Sequence, residues 1–280
     1  SAPLFFCSGV STDKALLQFQ GEEGIPFVSV AWPGMMGVVT GVNARRLFVS
    51  VNSARSDDDL ADGVPLTLLA REILERASSI KDAIKLIKEQ PAMVPGIFLL
   101  ADGKAQDAVV LEYTPSNTAI RKGAAGRVFA ANHLVDPKFK GDAANDWRRR
   151  YSTSEARSRR LEQLLRRFGG RMDVETTAMI LRNRTGVDDD PLGLGNRAAL
   201  DALTATHGVV LDLSTFVIWV SRGPHLLGAF EPVDLKTLFG EAMASAAAPK
   251  PIEADPLGAS PRLEKYRLAL AQLAHARWLY

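Results

Sequence analysis

Cys7 is the only cysteine in this 280-residue chain, and its thiol is the strongest nucleophile the sequence offers. It lies in Leu4-Phe5-Phe6-Cys7, where a small thiol also fits the part of a buried apolar residue. To attack a carbonyl with its own α-amine as base, Cys7 requires cleavage after Phe6. Ser1 is a second candidate, its hydroxyl able to play the same part, although Pro3 sits awkwardly for a central strand. One cysteine excludes an intrachain disulfide and a thiolate metal site. The four histidines, His133, His207, His225 and His275, are far apart and form no HExxH pair, so neither a metal nor a cofactor is expected. Two side-chain amides stand at the ends of strand-like runs: Asn52 after Leu47 to Val51, and Asn132 after Arg127 to Ala131. Asparagine there suits a turn as well as a site.

The elements that must position these groups are legible in outline. Pro26 to Val30 and Leu47 to Asn52 alternate with the period of half-buried strands. Between them, three glycines and a proline punctuate an apolar run, as tight turns between short buried strands require. Leu66, Leu69, Ala70, Ile73, Leu74 and Ala77 fall on one helix face; Ser79 caps a second helix with the stripe Ile80, Ala83, Ile84 and Ile87. Pro91 and Pro95 end it. Ile97 to Leu100 and Ala108 to Tyr113 read as a hairpin around Asp102-Gly103-Lys104. Glu155 to Phe168 is a basic amphipathic helix, and Asp173 to Arg182 a short one leading into the loop Gly186 to Gly195. Gly208 to Leu213 and Phe216 to Val220 form a second hairpin. Hairpins and helices without long βαβ runs predict an α+β fold with mainly antiparallel sheets.

The glycine-rich segment then turns specific. Pro33-Gly34-Met35-Met36-Gly37-Val38-Val39-Thr40-Gly41-Val42-Asn43, followed by Leu47 to Asn52, resembles the acyl-coenzyme A:aminopenicillanate acyltransferase family, relatives of penicillin V acylase and bile salt hydrolase. The likeness continues in register from about Phe27 to Leu235, through Val109 to Tyr113, Ala131-Asn132-His133, Arg157, Ala205 to Val210 and Trp219-Val220-Ser221. It implies a four-layer αββα sandwich of the N-terminal-nucleophile (Ntn) type, with two mainly antiparallel sheets. It implies an amidohydrolase or acyltransferase acting on an amide or thioester acyl bond. It also implies roles: Asn52 as oxyanion donor, Asn132 as holder of the nucleophile's amine and the substrate, and Arg157 as support of the nucleophile's ionic network. The family's Cys-Thr or Cys-Ser start and its later Gly-Arg-Asn-x-Asp element have no match between Ser1 and Ile25. Cys7, Ser1, or a residue on an upstream segment or second chain therefore remain alternatives for the nucleophile. A catalytically silent Ntn-fold protein that binds an acylated ligand or a protein partner is the competing reading.

Composition bounds the rest. A net charge of +2 gives no global reason to expect nucleic acid or a membrane surface. The basic run Arg148-Arg149-Arg150, Arg157, Arg159-Arg160 reads as a solvated helix face. No run reaches the roughly 18 apolar residues of a membrane span, and the compartment stays open. Residues 1–240 are expected to form one Ntn-like domain, 241–260 an Ala/Pro-rich linker and 261–280 a terminal helix docked on the body or on a partner; oligomerisation is left open. Specificity is expected from two acidic loops, Asn52 to Pro65 and Gly186 to Gly195.

Overall fold

The computed structural model describes residues 14–59, 62–124, 126–170, 172–241 and 248–279, so Ser1 and Cys7 lie outside the described residues. Seven strands run as an antiparallel meander in sequence order: β1 (Ala15–Phe19), β2 (Phe27–Ala31), β3 (Thr40–Asn43), β4 (Leu47–Ser53), β5 (Gly96–Asp102), β6 (Asp107–Tyr113) and β7 (Thr118–Lys122). Between β4 and β5 the chain leaves to form α1 (Leu66–Arg76) and α2 (Ile80–Glu89). Ser79 caps α2 as its sequence predicts, its hydroxyl accepting from the Asp82 amide. After β7 come α3 (Ala143–Tyr151), α4 (Ser154–Phe168) and α5 (Val174–Leu181). A second, three-stranded antiparallel sheet follows, from β8 (Val209–Asp212), β9 (Val217–Ser221) and β10 (Phe230–Asp234), in the order β10-β9-β8. The chain closes with α6 (Leu235–Leu238) and α7 (Pro261–Leu279).

Alternation along each strand sorts these elements into four layers. Leu47, Val49, Phe98, Leu100, Val109 and Leu111 face α1 and α2. Their sequence neighbours face the other way: Val28, Val30, Val42 and Phe48 meet Phe216, Ile218, Leu211 and Val220 of the second sheet. The outer face of that sheet, through Val210, Val217 and Trp219, packs on Ala178 of α5. The layering is thus αββα, as expected. The outer helix on this side is α5; α4, the expected one, lies against α3 and α5 instead.

The three-stranded sheet covers the β1–β4 half of its partner. Over the β5–β7 half lies irregular chain from residues 128–139, whose Val128, Ala130, Leu134 and Phe139 pack on Ile97, Leu99, Val110 and Ala119. The strand expected at Arg127 to Ala131 is therefore absent; only Arg127 bridges, to Ala124. Its apolar residues are used for covering a sheet rather than for pairing with one. Buried Glu112 fixes the course of this cover: Oε2 accepts from the Val135 and Asp136 amides, both at 2.8 Å, and Oε1 from Arg121 Nε at 2.5 Å. The Ala/Pro-rich stretch is held to the body at Ile252, which exchanges backbone hydrogen bonds with Phe230. On α7, Leu263 is buried with Leu203 and Leu227, while Leu270 and Leu273 are exposed.

Candidate functional site

At the seam between these two covers β4 ends. Phe48 faces the second sheet, so Ser50 and Asn52, two and four residues on, face the same interior. Asn52 Nδ2 donates to the carbonyl of Ala131 at 3.2 Å, across 79 positions of sequence. Asn132 Nδ2 returns the bond to the Ser53 carbonyl at 3.1 Å. The two amides thus clasp the end of β4 to the irregular segment reciprocally. Arg157, on α4, donates to Asn132 Oδ1 at 2.9 Å and fixes which way that amide points. The three residues singled out in the sequence are brought together; Cys7 and Ser1 lie outside the described residues.

The backbone of Asn132 is held just as firmly. Its N–H donates to Ser154 Oγ at 2.8 Å, and its carbonyl accepts from Arg148 Nε at 3.1 Å. The buried Ser154 hydroxyl also meets His133 Nδ1 at 2.8 Å, and His133 Nε2 lies 3.4 Å from Glu155. The sequence reading placed Arg148 on a solvated face and passed over Ser154. The available signal was the Ser152-Thr153-Ser154 break, which divides the basic run between α3 and α4, each of which supplies a group to Asn132. The basic run is accordingly a solvated face only in part, at the exposed Arg149, Arg150 and Arg159. Arg148 and Arg157 are half-buried, and Arg160 is only 1% exposed, bound to Asn183, Gln163, Thr185 and Asp189. Burial, then the charges of Arg148 and Arg197, push the Arg157 guanidinium below its ordinary value, yet it remains a cation. The acidic loops are tied down as well. Asp57 accepts from the Ala143 and Ala144 amides, Asp58 binds Ser116, and Asp189 binds Arg160 and Arg167.

A second polar group lies on the same interior face. Thr40 pairs with Ser50, and its hydroxyl meets His207 Nε2 at 3.1 Å, while Thr206 Oγ1 meets Nδ1 at 3.1 Å. Burial, and then the charge of Lys14, hold this imidazole down to about 4. Lys14 itself, donating to Ser221 Oγ and the His225 carbonyl, is lowered by burial to about 8. An unfolded chain protonates His207 near its ordinary 6.5, the folded one only near 4, so stability is complete above pH 6.5 and is lost as pH falls toward 4. The loss is at most about 3 kcal/mol. Urea midpoints measured between pH 7 and 4.5 are expected to fall less steeply for His207→Gln than for the native chain. His133, lowered by burial in the same sense, keeps the variant's slope above zero.

Residues 11–189 match the family model described as acyl-coenzyme A:6-aminopenicillanic acid acyl-transferase. The chain belongs to this family. The match runs through the glycine-rich segment, both clasping asparagines, Arg148 and Arg157. A curated relative, an uncharacterized protein of Archaeoglobus fulgidus, is 26% identical over 110 residues, which make up 38% of this chain and 18% of that one. Among solved structures, a variant of the conjugated bile acid hydrolase of Clostridium perfringens is 11% identical with a TM-score of 0.48, covering 87% of this chain and 92% of that one. A Caenorhabditis elegans ortholog of N-acylethanolamine-hydrolyzing acid amidase is 14% identical with a TM-score of 0.43, covering 76% and 81%. Penicillin V acylase from Agrobacterium tumefaciens is 12% identical with a TM-score of 0.38, covering 74% and 72%. Membership carries with it the Ntn-hydrolase class and the αββα sandwich already described. Among the described residues no helix is long and apolar enough to cross a membrane, and no cluster of ligating side chains could hold a metal.

Proposed function

We propose that the chain acts in hydrolysis or transfer of an acyl group at an amide or thioester bond, with the carbonyl bound at Asn52 and Asn132. The observation that carries this reading is the reciprocal clasp of those two amides, closed by Arg157. Each Nδ2 has two N–H groups and uses one on a carbonyl, leaving one on each residue to meet an oxyanion. In the proposed reaction a thiol or hydroxyl adds to the carbonyl carbon while the same residue's α-amine takes its proton. That proton passes to the leaving amine or thiol as the C–N or C–S bond breaks, and water or an amine then resolves the acyl-enzyme. Cys7, Ser1 or a residue of an upstream segment or second chain supplies the nucleophile.

The chemistry requires nucleophile and free amine on one residue, so Cys7 with Ser1 to Phe6 attached is expected to be inactive. Incubation with an aryl acyl amide should leave the intact mass unchanged, and iodoacetamide should label Cys7 slowly at neutral pH. Cleavage at Phe6–Cys7, followed by a mass gain of one acyl group lost in Cys7→Ala, would instead assign the nucleophile to Cys7. Rapid turnover by the uncleaved chain, abolished by Cys7→Ala, would overturn the expectation.

A further inference from the structure

The helix α7 is packed on the body at its start, where Leu263 is buried against Leu203 and Leu227 and Tyr266 joins them. From Arg267 to Ala276 every residue is exposed. Leu268, Leu270 and Leu273 are 64%, 46% and 49% exposed, so three leucines of one helix stand in water. Leu270 and Leu273 follow Leu263 and Tyr266 at an interval of seven residues, which continues along the same helix face the stripe begun on the body. A helical stretch of about ten residues is marginal in water by itself and gains from being covered.

Charge decides what can cover it. From Arg267 to Tyr280 the sequence holds two arginines and no acid. Two copies of α7 laid together would set cation against cation with no carboxylate between them, which argues against the helix as its own partner. An apolar recess with acidic walls is the complement, and one opens where α5, β8, β9 and α6 meet. This cleft has a volume of about 1030 Å³; Val210, Val217 and Trp219 of the outer sheet face form its floor, and Met172 and Val174 stand beside them. Asp173, Asp212 and Asp234 line it against one cation, Lys236. Each aspartate accepts from nearby backbone amides, and none is in an ion pair among the described residues. A basic, leucine-bearing helix face answers both the apolar floor and the acidic walls.

We propose that two copies of this chain exchange α7 reciprocally, each helix seating Leu270 and Leu273 on the apolar floor of the other's cleft with Arg267 toward the aspartates. The exchange joins unlike surfaces, helix to cleft, and closes as a two-fold dimer because each copy offers one of each. A helix so placed lies beside α5 and adds to the outer layer over the three-stranded sheet. None of these residues belongs to the site at Asn52 and Asn132, so the dimer and the acyl chemistry stand or fall separately.

Sedimentation velocity on the full chain across the micromolar range is expected to show a dimer that dissociates on dilution and loosens as salt is raised. Leu270→Glu combined with Leu273→Glu removes the helix side of the contact, and Thr177→Arg puts a bulky cation in the cleft. Each should weaken the dimer at least about tenfold. Both should still unfold cooperatively, since the two leucines are exposed and Thr177 is only half-buried. Mixing the two variants should restore dimers in part, because one native helix then meets one native cleft. A monomer at every concentration, or a dimer untouched by either variant, overturns the exchange. A dimer lost in the leucine variant but kept in Thr177→Arg overturns the cleft as the seat and leaves α7 paired with its own copy. Two monomeric variants that form no mixed dimer overturn the reciprocal exchange as well.

Discussion

Asn132→Ala is expected to lower acyl-amide or thioester turnover by about a hundred- to a thousandfold, the usual cost of removing an oxyanion donor. The substitution leaves the backbone of residue 132 anchored, since Ser154 accepts its N–H and Arg148 grips its carbonyl. It removes the tie to Ser53 and leaves the Arg157 guanidinium without its acceptor. Stability should therefore drop only by about 1–2 kcal/mol, as for a partly exposed hydrogen-bonding side chain. Asn132→Asp makes the sharper comparison. A carboxylate keeps, and strengthens, the contact with Arg157 but has no N–H for Ser53 or for an oxyanion. That variant should melt close to the native chain and still lose turnover. Native rates in both variants, measured against the unmodified chain with the same nucleophile present, would remove Asn132 from the chemistry.

The parts of this molecule visible in the sequence are those whose pattern is set by burial. Leu47 to Asn52 alternates because Leu47 and Val49 face α1 and α2, whereas Ala108 to Tyr113 is a nearly unbroken apolar run buried on both faces; both are strands at the expected places. The strands that escaped notice lack that constraint. The edge strand β7, Thr-Ala-Ile-Arg-Lys, exposes alternate residues to solvent, and β10 carries Pro232, which an edge tolerates and a pattern search rejects. Arg127 to Ala131 failed for the opposite reason. Its β-forming side chains are buried against β5–β7, but its backbone is diverted by the two amides that Glu112 captures just beyond it.

The site divides along the same line. Asn52, Asn132 and Arg157 came from the family resemblance, and the resemblance could name them because their spacing along the chain is a family property. Which groups lock them could not be read off. Arg148 and Arg160 have the same sequence surroundings as exposed Arg149 and Arg150, and only the packing of α3 on α4 separates them. The burial of Arg160 depends on Asn183, Thr185 and Asp189, residues 23 to 29 positions away in a loop without periodicity.

Asn43→Ala is expected to be the most damaging single substitution for the fold, costing about 3–4 kcal/mol, the upper end of single-residue effects. Asn43 closes the glycine-rich segment and is fully buried. Its Nδ2 donates to the carbonyls of Leu74 at 3.0 Å and Ala77 at 2.8 Å, at the C-terminal end of α1. Its Oδ1 accepts from the amides of Arg45 at 3.0 Å and Leu47 at 3.1 Å, shaping the turn from β3 into β4. One side chain thus satisfies both a helix end and a hairpin, and alanine leaves buried backbone groups at each without a partner. Gly41, two residues earlier, makes this approach of α1 possible, since a Cβ there would lie 2.6 Å from both Leu74 Cδ1 and the Val28 carbonyl. The expected fall in melting temperature is about 10 °C for a domain of this size. Asn43→Asp separates the two halves of the role. A carboxylate can still accept from Arg45 and Leu47, but it faces the Leu74 and Ala77 carbonyls with no proton to offer at neutral pH. It should therefore destabilise the chain at least as much as alanine, and less so as pH falls and the carboxyl gains a proton. Denaturant midpoints of both variants at pH 7 and pH 5 measure this; a native-like Asn43→Asp at pH 7 would show that the helix-end carbonyls do not need the amide.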